Sequence, residues 1–345
     1  MSQESLLPII EMNRPPYAFS KHAIETSEVF DTYWRFAVER QAVFFNRLAG
    51  NKFLLTDDPV INTYKFTNAY RASDRVSQYL IRNVIYSGDQ SPYEVFFRVM
   101  LFKTFNKIET WERLQKEVGE IRYDQFSFNR YNNFLLGLMQ SGQAIYSSAY
   151  MMPSGHKSFP VDKKHQAHLL LLSQMMDDGL PNKIVESPSM EEAFELMRSY
   201  PMIGDFLAYQ YVTDLNYSEI VNFSEMEFTI PGPGARDGIR KCFKTLGGLS
   251  EADIIRLMAE HQDEEFDRLG LNFQSLWGRP LQLIDAQNLF CEVDKYSRVV
   301  HPDVSGISGR KKIKQKFRMN SSPIEYWYPP KWGINKTIES SVNVK

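Results

Sequence analysis

The chain has 345 residues, enough for roughly two domains at about 150 residues each or for one large helical body with insertions. Apolar residues make up 43%, charged residues 24% and aromatic residues 14%, which excludes a disordered or fibrous chain. Lys and Arg number 40 against 42 Asp and Glu, a formal net charge of −2, so a polyanionic partner must be met by a local patch and not by a global field.

Cys242 and Cys291 are the only cysteines, with no Cys-x-x-Cys and no Cys/His pairs at zinc spacing, which excludes a disulfide framework, a zinc finger and a four-cysteine cluster. Two free thiols point to a reducing cytoplasm. The start, Met-Ser-Gln-Glu-Ser-Leu-Leu-Pro, lacks a basic leader region, its apolar run is broken by Pro8, and no run of about 18 apolar residues follows, so the expectation is a chain neither secreted nor membrane-spanning.

In chain order, residues 27–49 predict an amphipathic helix: Phe30, Trp34, Ala37, Val38, Phe44, Phe45 and Leu48 recur mostly at spacings of three and four, and Gly50 stands at its end. The same period predicts a helix over 74–86, through Val76, Tyr79, Leu80, Val84 and Ile85. Further helices are expected at 92–106, 109–118, 123–140, 161–177, 190–199, 203–213, 235–245, 250–268 and 285–298, bounded by Gly, Pro, Ser or Asp. Alternating strand patterns are almost absent, and segments 148–160 and 178–189 read as loops.

After Pro302 the character changes. Gly309 to Arg318 carries Arg310, Lys311, Lys312, Lys314, Lys316 and Arg318, and Tyr-Trp-Tyr-Pro-Pro-Lys-Trp follows. A basic arm with aromatics suits phosphate contact plus stacking; the plainer reading is a solvated terminus. The domain expectation is a helical body over 1–302, made of two lobes, and a basic, aromatic arm over 303–345.

The segment Phe228 to Phe243 holds Pro231-Gly-Pro-Gly-Ala235. Gly232 and Gly234 permit a tight turn that exposes backbone N–H groups just before a helix, a means of gripping a phosphate through amides and helix dipole together. Downstream, Gly278-Arg-Pro-Leu-Gln-Leu-Ile-Asp285 places a carboxylate at the expected start of another helix, where an N-cap or first-turn role is the plainer reading.

In these residues the chain resembles the helix-hairpin-helix DNA glycosylases. Ile230 to Gly234 match their hairpin, Gly278, Pro280 and Asp285 match the segment bearing their catalytic Asp, and Thr67-Asn-Ala-Tyr-Arg-Ala-Ser-Asp74 matches an early helix whose Arg71 would fill the gap left by a flipped base. Over about 28–302 it also resembles the helical domain found beside phage hydroxymethyluracil DNA kinases and the glutamyl/putrescinyl-thymine pyrophosphorylases. That likeness rests on Arg35-Phe-Ala-Val-Glu-Arg-Gln-Ala-Val-Phe, Thr67 to Arg82, Phe206 to Tyr217, Pro231 to Ala235 and Asn288 to Tyr296.

The resemblance implies an all-α, helix-hairpin-helix glycosylase-like fold with insertions (249–277 among them) and the basic C-terminal arm. It implies action on hypermodified bases in phage-type DNA, removing them, as in anti-phage defence, or helping to install them. Arg236 stands where bifunctional glycosylases carry a Schiff-base Lys, and arginine does not lose its proton to act as an amine nucleophile. The leading expectation is therefore a monofunctional DNA glycosylase, a hydrolase of N-glycosidic bonds that flips out and excises a modified pyrimidine from double-stranded DNA in the cytoplasm.

On that reading Asp285 stabilises the oxocarbenium-like transition state, with Asp294, Asp214 or Asp205 as alternatives. Arg71, Arg75, Gly232, Gly234, Arg236, Lys311, Lys312 and Lys314 would contact DNA, while Tyr70, Tyr146, Tyr209, Gln210 and Asn216 would line the base pocket. Arg71, Asp74 and Arg75 could equally be an ion-paired helix face. No cofactor, metal or obligate protein partner is expected; His165-x-x-His168 lacks companion ligands, and His22, His156, His261 and His301 form no motif. Gly306-Ile-Ser-Gly-Arg-Lys-Lys has the wrong spacing for a P-loop, so the kinase activity of fused relatives is not expected here. The alternatives are a base-hypermodification enzyme that displaces pyrophosphate from an activated hydroxymethyl pyrimidine with an amine, and a non-catalytic reader of modified DNA.

Overall fold

The structure is a computed structural model that describes residues 23–50, 55–148, 152–155, 157–319 and 325–342. His22, His156, the chain start and part of segment 148–160 lie outside the described residues. The fold is mostly helical, as expected. In chain order it comprises β1 (Ile24–Thr26), α1 (Glu28–Leu48), α2 (Pro59–Thr63), α3 (Arg75–Tyr79), a π-helical turn (Leu80–Ile85), α4 (Pro92–Phe105), α5 (Ile108–Val118), α6 (Phe128–Gln140) and α7 (Lys164–Asp177). It continues with α8 (Leu180–Glu186), α9 (Met190–Arg198), α10 (Asp205–Leu215), α11 (Pro233–Cys242), β2 (Phe243–Leu246), α12 (Glu251–Glu260), α13 (Gln262–Arg268), α14 (Leu283–Val300) and α15 (Asn335–Val342).

Two compact units divide the chain. The first takes the described parts of Met1–Ala69, Pro231–Leu276 and Pro280–Met319; the second takes those of Tyr70–Ile230, Trp277–Arg279 and Asn320–Lys345. The tail beyond Pro302 is thus shared, its basic stretch clustering with the first unit and its aromatic stretch with the second.

In the first unit α1 starts where the Ser27 hydroxyl accepts from the Val29 amide at 3.1 Å, a cap contributing about 1 kcal/mol. It ends at Ala49 with Gly50 in the left-handed region, φ 86°, donating to Arg47 O. Its apolar stripe buries Phe30, Tyr33, Trp34, Phe36 and Phe44. β1 and β2 pair antiparallel, Ile24 opposite Leu246. Helices α11 and α14 lie backbone to backbone at Gly238, where an added Cβ would sit 2.1 Å from the Phe290 carbonyl oxygen. No other residue fits that crossing without pushing the helices apart.

Residues 249–276 of the expected insertion belong to this unit: Ile254, Ile255, Met258 and Phe266 are buried, and Phe266 packs edge-on to Trp34 at 5.1 Å. Its expected single helix over 250–268 is two, because the backbone breaks at His261 (φ −110°, ψ 25°). The helix expected over 235–245 stops at Cys242, and the chain turns extended to pair as β2.

The second unit is built around α4, which is apolar on nearly every side and correspondingly buried, with Val95, Phe96, Phe97, Val99, Leu101 and Phe102 at its centre. Segment 178–189 is not all loop. Gly179 at φ 69° turns the chain and Pro181 opens α8, whose Leu180 and Ile184 are fully buried, so Gly and Pro here start a helix instead of interrupting one. The helix expected over 74–86 also changes form. After α3 it widens into the π-turn, the Tyr86 amide reaching back five residues to Ile81 O at 3.1 Å. The carbonyls at the end of that turn are met by a buried guanidinium: Arg98 donates to Val84 O at 2.9 Å and to Ile85 O at 3.3 Å.

Candidate nucleic-acid interface

Arg71, expected to face DNA, lies at the centre of a buried cluster in the second unit, with only 8% of its surface exposed. It pairs with Asp214 at 2.7 Å, donates to the Tyr217 hydroxyl at 3.0 Å, and donates through Nε and Nη2 to Gln210 Oε1 at 3.2 and 3.0 Å. Lys103 of α4 reaches the other Asp214 oxygen at 3.1 Å. Burial pushes the Asp214 carboxyl up, but Arg71 and Lys103 outweigh it and hold the carboxyl below the usual range. Burial also lowers the Lys103 ammonium against the pull of Asp214. Arg71 is therefore a structural cation here and not a wedge: moving it into a base stack would leave Asp214 buried beside Lys103 alone, a change of several kcal/mol.

The residues expected to line a base pocket are occupied in the same way. Gln210 is the acceptor for Arg71 just described. Tyr70 and Tyr209 are almost fully buried; the Tyr70 hydroxyl donates to Arg279 O at 2.6 Å and that of Tyr209 lies 3.5 Å from Phe228 O. Asn216 closes the turn after α10 by accepting from Phe223 N at 2.9 Å and donating to Phe223 O at 3.1 Å. The Tyr146 hydroxyl meets His168 Nδ1 at 2.8 Å, and His168 Nε2 meets Pro153 O at 3.1 Å; burial lowers that imidazole to about 4. His165 meets Asn132 Oδ1 at 2.9 Å. Arg71, Gln210 and Asp214 thus come together, but as a charged core.

In the first unit the Pro-Gly-Pro-Gly segment is the mouth of α11. α10 ends at Leu215, and the approach from there is turns and irregular chain. Gly232 is the N-cap with an ordinary φ of −73°, and its amide donates to Gln287 Oε1 at 3.3 Å. Gly234 lies in the first helical turn, where its missing Cβ leaves room for Cys291 Sγ, 3.0 Å from the position a Cβ would take. Arg236 donates to Pro231 O at 3.2 Å and, with Arg240, flanks Glu251 at 3.4 and 3.5 Å.

Asp285, 5% exposed, sits at the third position of α14 and accepts from the Gln282 amide at 3.1 Å, the capping role of the plainer reading. Of the alternatives, Asp294 pairs with buried Lys241 at 3.0 Å and with Arg298, and Asp205 pairs on the surface with Arg198 at 3.5 Å. Among the described residues no three His, Cys, Asp or Glu side chains are grouped to hold a metal ion.

The basic arm is held by its backbone and presents its side chains. Asp237 accepts from Ser308 N at 2.8 Å, Arg298 donates to Lys312 O at 3.0 Å, and around a Tyr64–Lys316 antiparallel bridge Lys65 N donates to Gln315 O at 3.1 Å and Phe317 N to Thr63 O at 3.0 Å. Lys316 lies over the Tyr64 ring at 4.2 Å. Lys311, Lys312 and Lys314 are exposed and form no side-chain ion pair among the described residues. The strip is thus a pre-ordered row of cations, which loses less conformational entropy on meeting a phosphate chain than a free tail would.

The family model described as "5-hmdU DNA kinase, helical domain" matches residues 27–306. A curated relative, the 5-hmdU DNA kinase of Bacillus phage SP10, is 27% identical over 324 residues, covering 87% of this chain and 50% of that protein. The chain therefore spans about half the length of that relative. No solved structure matches. These matches correct the excision reading: the family is named for a DNA kinase, so the glycosylase function, its hydrolase class and its anti-phage setting are overturned. The error came from short Gly/Pro and Asp segments, which the structure uses to start α11 and to cap α14. Among the described residues no helix is long and apolar enough to cross a membrane.

Proposed function

The chain belongs to the 5-hmdU DNA kinase helical-domain family, and from that membership we propose that it works in the hypermodification of 5-hydroxymethyldeoxyuridine in DNA. On this reading it engages the hydroxymethylated strand for group transfer at the hydroxymethyl oxygen and leaves the N-glycosidic bond intact. The observation that carries the proposal is the family match across 27–306. The exposed row of Lys311, Lys312 and Lys314 supports the DNA-engaging part, since phosphate contacts supply most sequence-independent affinity. Phosphoryl transfer needs a cradle for the donor's phosphates and its Mg²⁺. Because the sequence holds no Gly-x4-Gly-Lys-Ser/Thr, the proposal assigns donor binding to a separate domain or polypeptide.

The test uses duplexes identical except for thymine or 5-hydroxymethyluracil at one position. Equilibrium titrations at two salt concentrations are followed by incubation with Mg²⁺-ATP and a kinase-bearing relative, then nuclease digestion and mass analysis of the nucleosides. The expected result is about tenfold tighter binding of the hydroxymethylated duplex, the worth of one well-placed hydrogen bond to the added hydroxyl. Modification of that nucleoside should rise when the chain is added, with no abasic sites. Equal affinity for both duplexes together with unchanged modification would overturn the proposal.

A further inference from the structure

The stretch Arg75 to Asn83 in the second unit carries side chains that neither the core nor the family match accounts for. Across α3 and the π-turn, Arg75, Tyr79, Arg82 and Asn83 open onto one cavity of about 390 Å³, bounded also by Gln78, by Glu112 of α5 and by Glu325. That volume falls at the small end of ligand pockets, about 300–1,000 Å³, and suits one nucleotide.

Its lining is chemically uneven. The side chains of Arg75 and Asn83 are exposed and form no hydrogen bond or ion pair among the described residues. Arg82 pairs with the Glu325 carboxylate, and both side chains remain open to solvent, 46% and 73% exposed. Tyr79 stacks on Phe102 with ring centroids 5.8 Å apart and planes 16° from parallel. Burial, then Glu112, push its phenol up to about 12, so it stays a neutral hydrogen-bonding group.

The origin of Glu325 matters. It enters from the far end of the chain, and its neighbour Trp327 is fixed to the cavity wall by donating its amide to Gln78 Oε1 at 2.8 Å, with its ring edge-on to Tyr86 at 4.8 Å. The backbone around Glu325 is therefore anchored while its side chain stays free to swing. A carboxylate on a guanidinium mimics the planar, two-oxygen face of a phosphate. A solvent-exposed pair of this kind is worth about 0–1 kcal/mol, so a phosphate gripped by two guanidinium groups outcompetes it.

We propose that this cavity binds the phosphate of a nucleotide, from a nucleic-acid strand or a free nucleotide, with Arg75 and Arg82 as the phosphate ligands and Glu325 as a built-in competitor that the ligand displaces. The site holds for unmodified nucleotides and so does not depend on recognition of a hydroxymethyl group.

The full chain is titrated into a fluorescein-labelled oligothymidylate and followed by anisotropy, with thymidine, thymidine monophosphate, ATP and inorganic phosphate as unlabelled competitors. Glu325→Gln is expected to tighten binding several-fold, and Arg75→Ala with Arg82→Ala to weaken it about tenfold, the loss of about 1.4 kcal/mol of charge-assisted contact, with unchanged thermal melting. Thymidine should not compete. Competition by the mononucleotides as well as by unlabelled strand would identify free nucleotide as the ligand; competition by strand alone would identify nucleic acid. Unchanged affinity in the Arg75/Arg82 double variant, or weaker binding in Glu325→Gln, would overturn the proposal. Because the probe carries only thymine, its failure leaves the hydroxymethyl-specific reading to its own test.

Discussion

Arg71 and Arg82 sit eleven positions apart in one continuous stretch of sequence, and the fold gives them opposite circumstances. Arg71 is buried with Asp214, Gln210 and Tyr217, groups of the same unit. Arg82 faces solvent, paired with the still more open carboxylate of Glu325 and 3.5 Å from that residue's carbonyl oxygen. A buried guanidinium is committed because any departure strands its counter-charge in low dielectric, whereas an exposed one exchanges partners at little cost. The residue type alone said that each could meet DNA; burial separates the structural cation from the available one.

The largest expected effect lies on the buried side of this comparison. Asp214→Asn should destabilise the protein by about 3–5 kcal/mol, since it removes the buried carboxylate that Arg71 and Lys103 share. The pH dependence has a definite sign. The folded Asp214 carboxyl titrates below its unfolded value of about 3.9, so its contribution is fully present above that pH and is lost as pH falls through the lower folded value. Urea titrations between pH 3 and pH 7 should show the wild type losing this increment on acidification and the Asn variant lacking it; a variant within about 1 kcal/mol of wild type at pH 7 would break the contrast with Arg82.

Next comes the helix crossing in the first unit. Gly238→Ala, which drives a Cβ against the Phe290 carbonyl, should cost about 1–3 kcal/mol in the same assay, and an unshifted midpoint would contradict the close approach of α11 and α14.

The exposed cations should show the reverse pattern. Replacing Lys311, Lys312 and Lys314 together by Ala should leave the urea midpoint within about 0.5 kcal/mol of wild type. The same change should flatten the slope of log affinity for duplex DNA against log salt by about 2–3. An unchanged slope would remove the arm from the interface. Arg82→Ala alone should likewise leave stability within about 0.5 kcal/mol of wild type, read from thermal melting; a loss above about 1 kcal/mol would move Arg82 into the structural class.

Much of the architecture could be read from local pattern. The three-and-four spacing of Phe30, Trp34, Ala37 and Phe44 with Gly50 behind them predicts α1 to within about one residue of Glu28–Leu48. Punctuation misled where it has two meanings: Gly179 and Pro181 begin α8 as readily as they would end a helix. Asp285 caps α14, as the plainer reading of its Gly/Pro-led segment has it. The π-turn at Leu80–Ile85 gives no signal in a periodicity search, because its apolar residues keep helical spacing while the hydrogen bonds shift by one. The cavity beside it escaped for another reason, since Glu325 and Trp327 arrive from more than two hundred positions away.

By itself the sequence determined the mostly helical class, the places of most helices, the apolar stripes that bury them and a kinship that covers most of the chain, because each is written in residue order at a range of a few positions. Tertiary structure decided what each charged side chain does. Arg71 meets Asp214, Lys241 meets Asp294 and Arg82 meets Glu325 only when distant segments fold together, and the energy of a charge depends on the depth and partners that this folding imposes, not on its position in the chain.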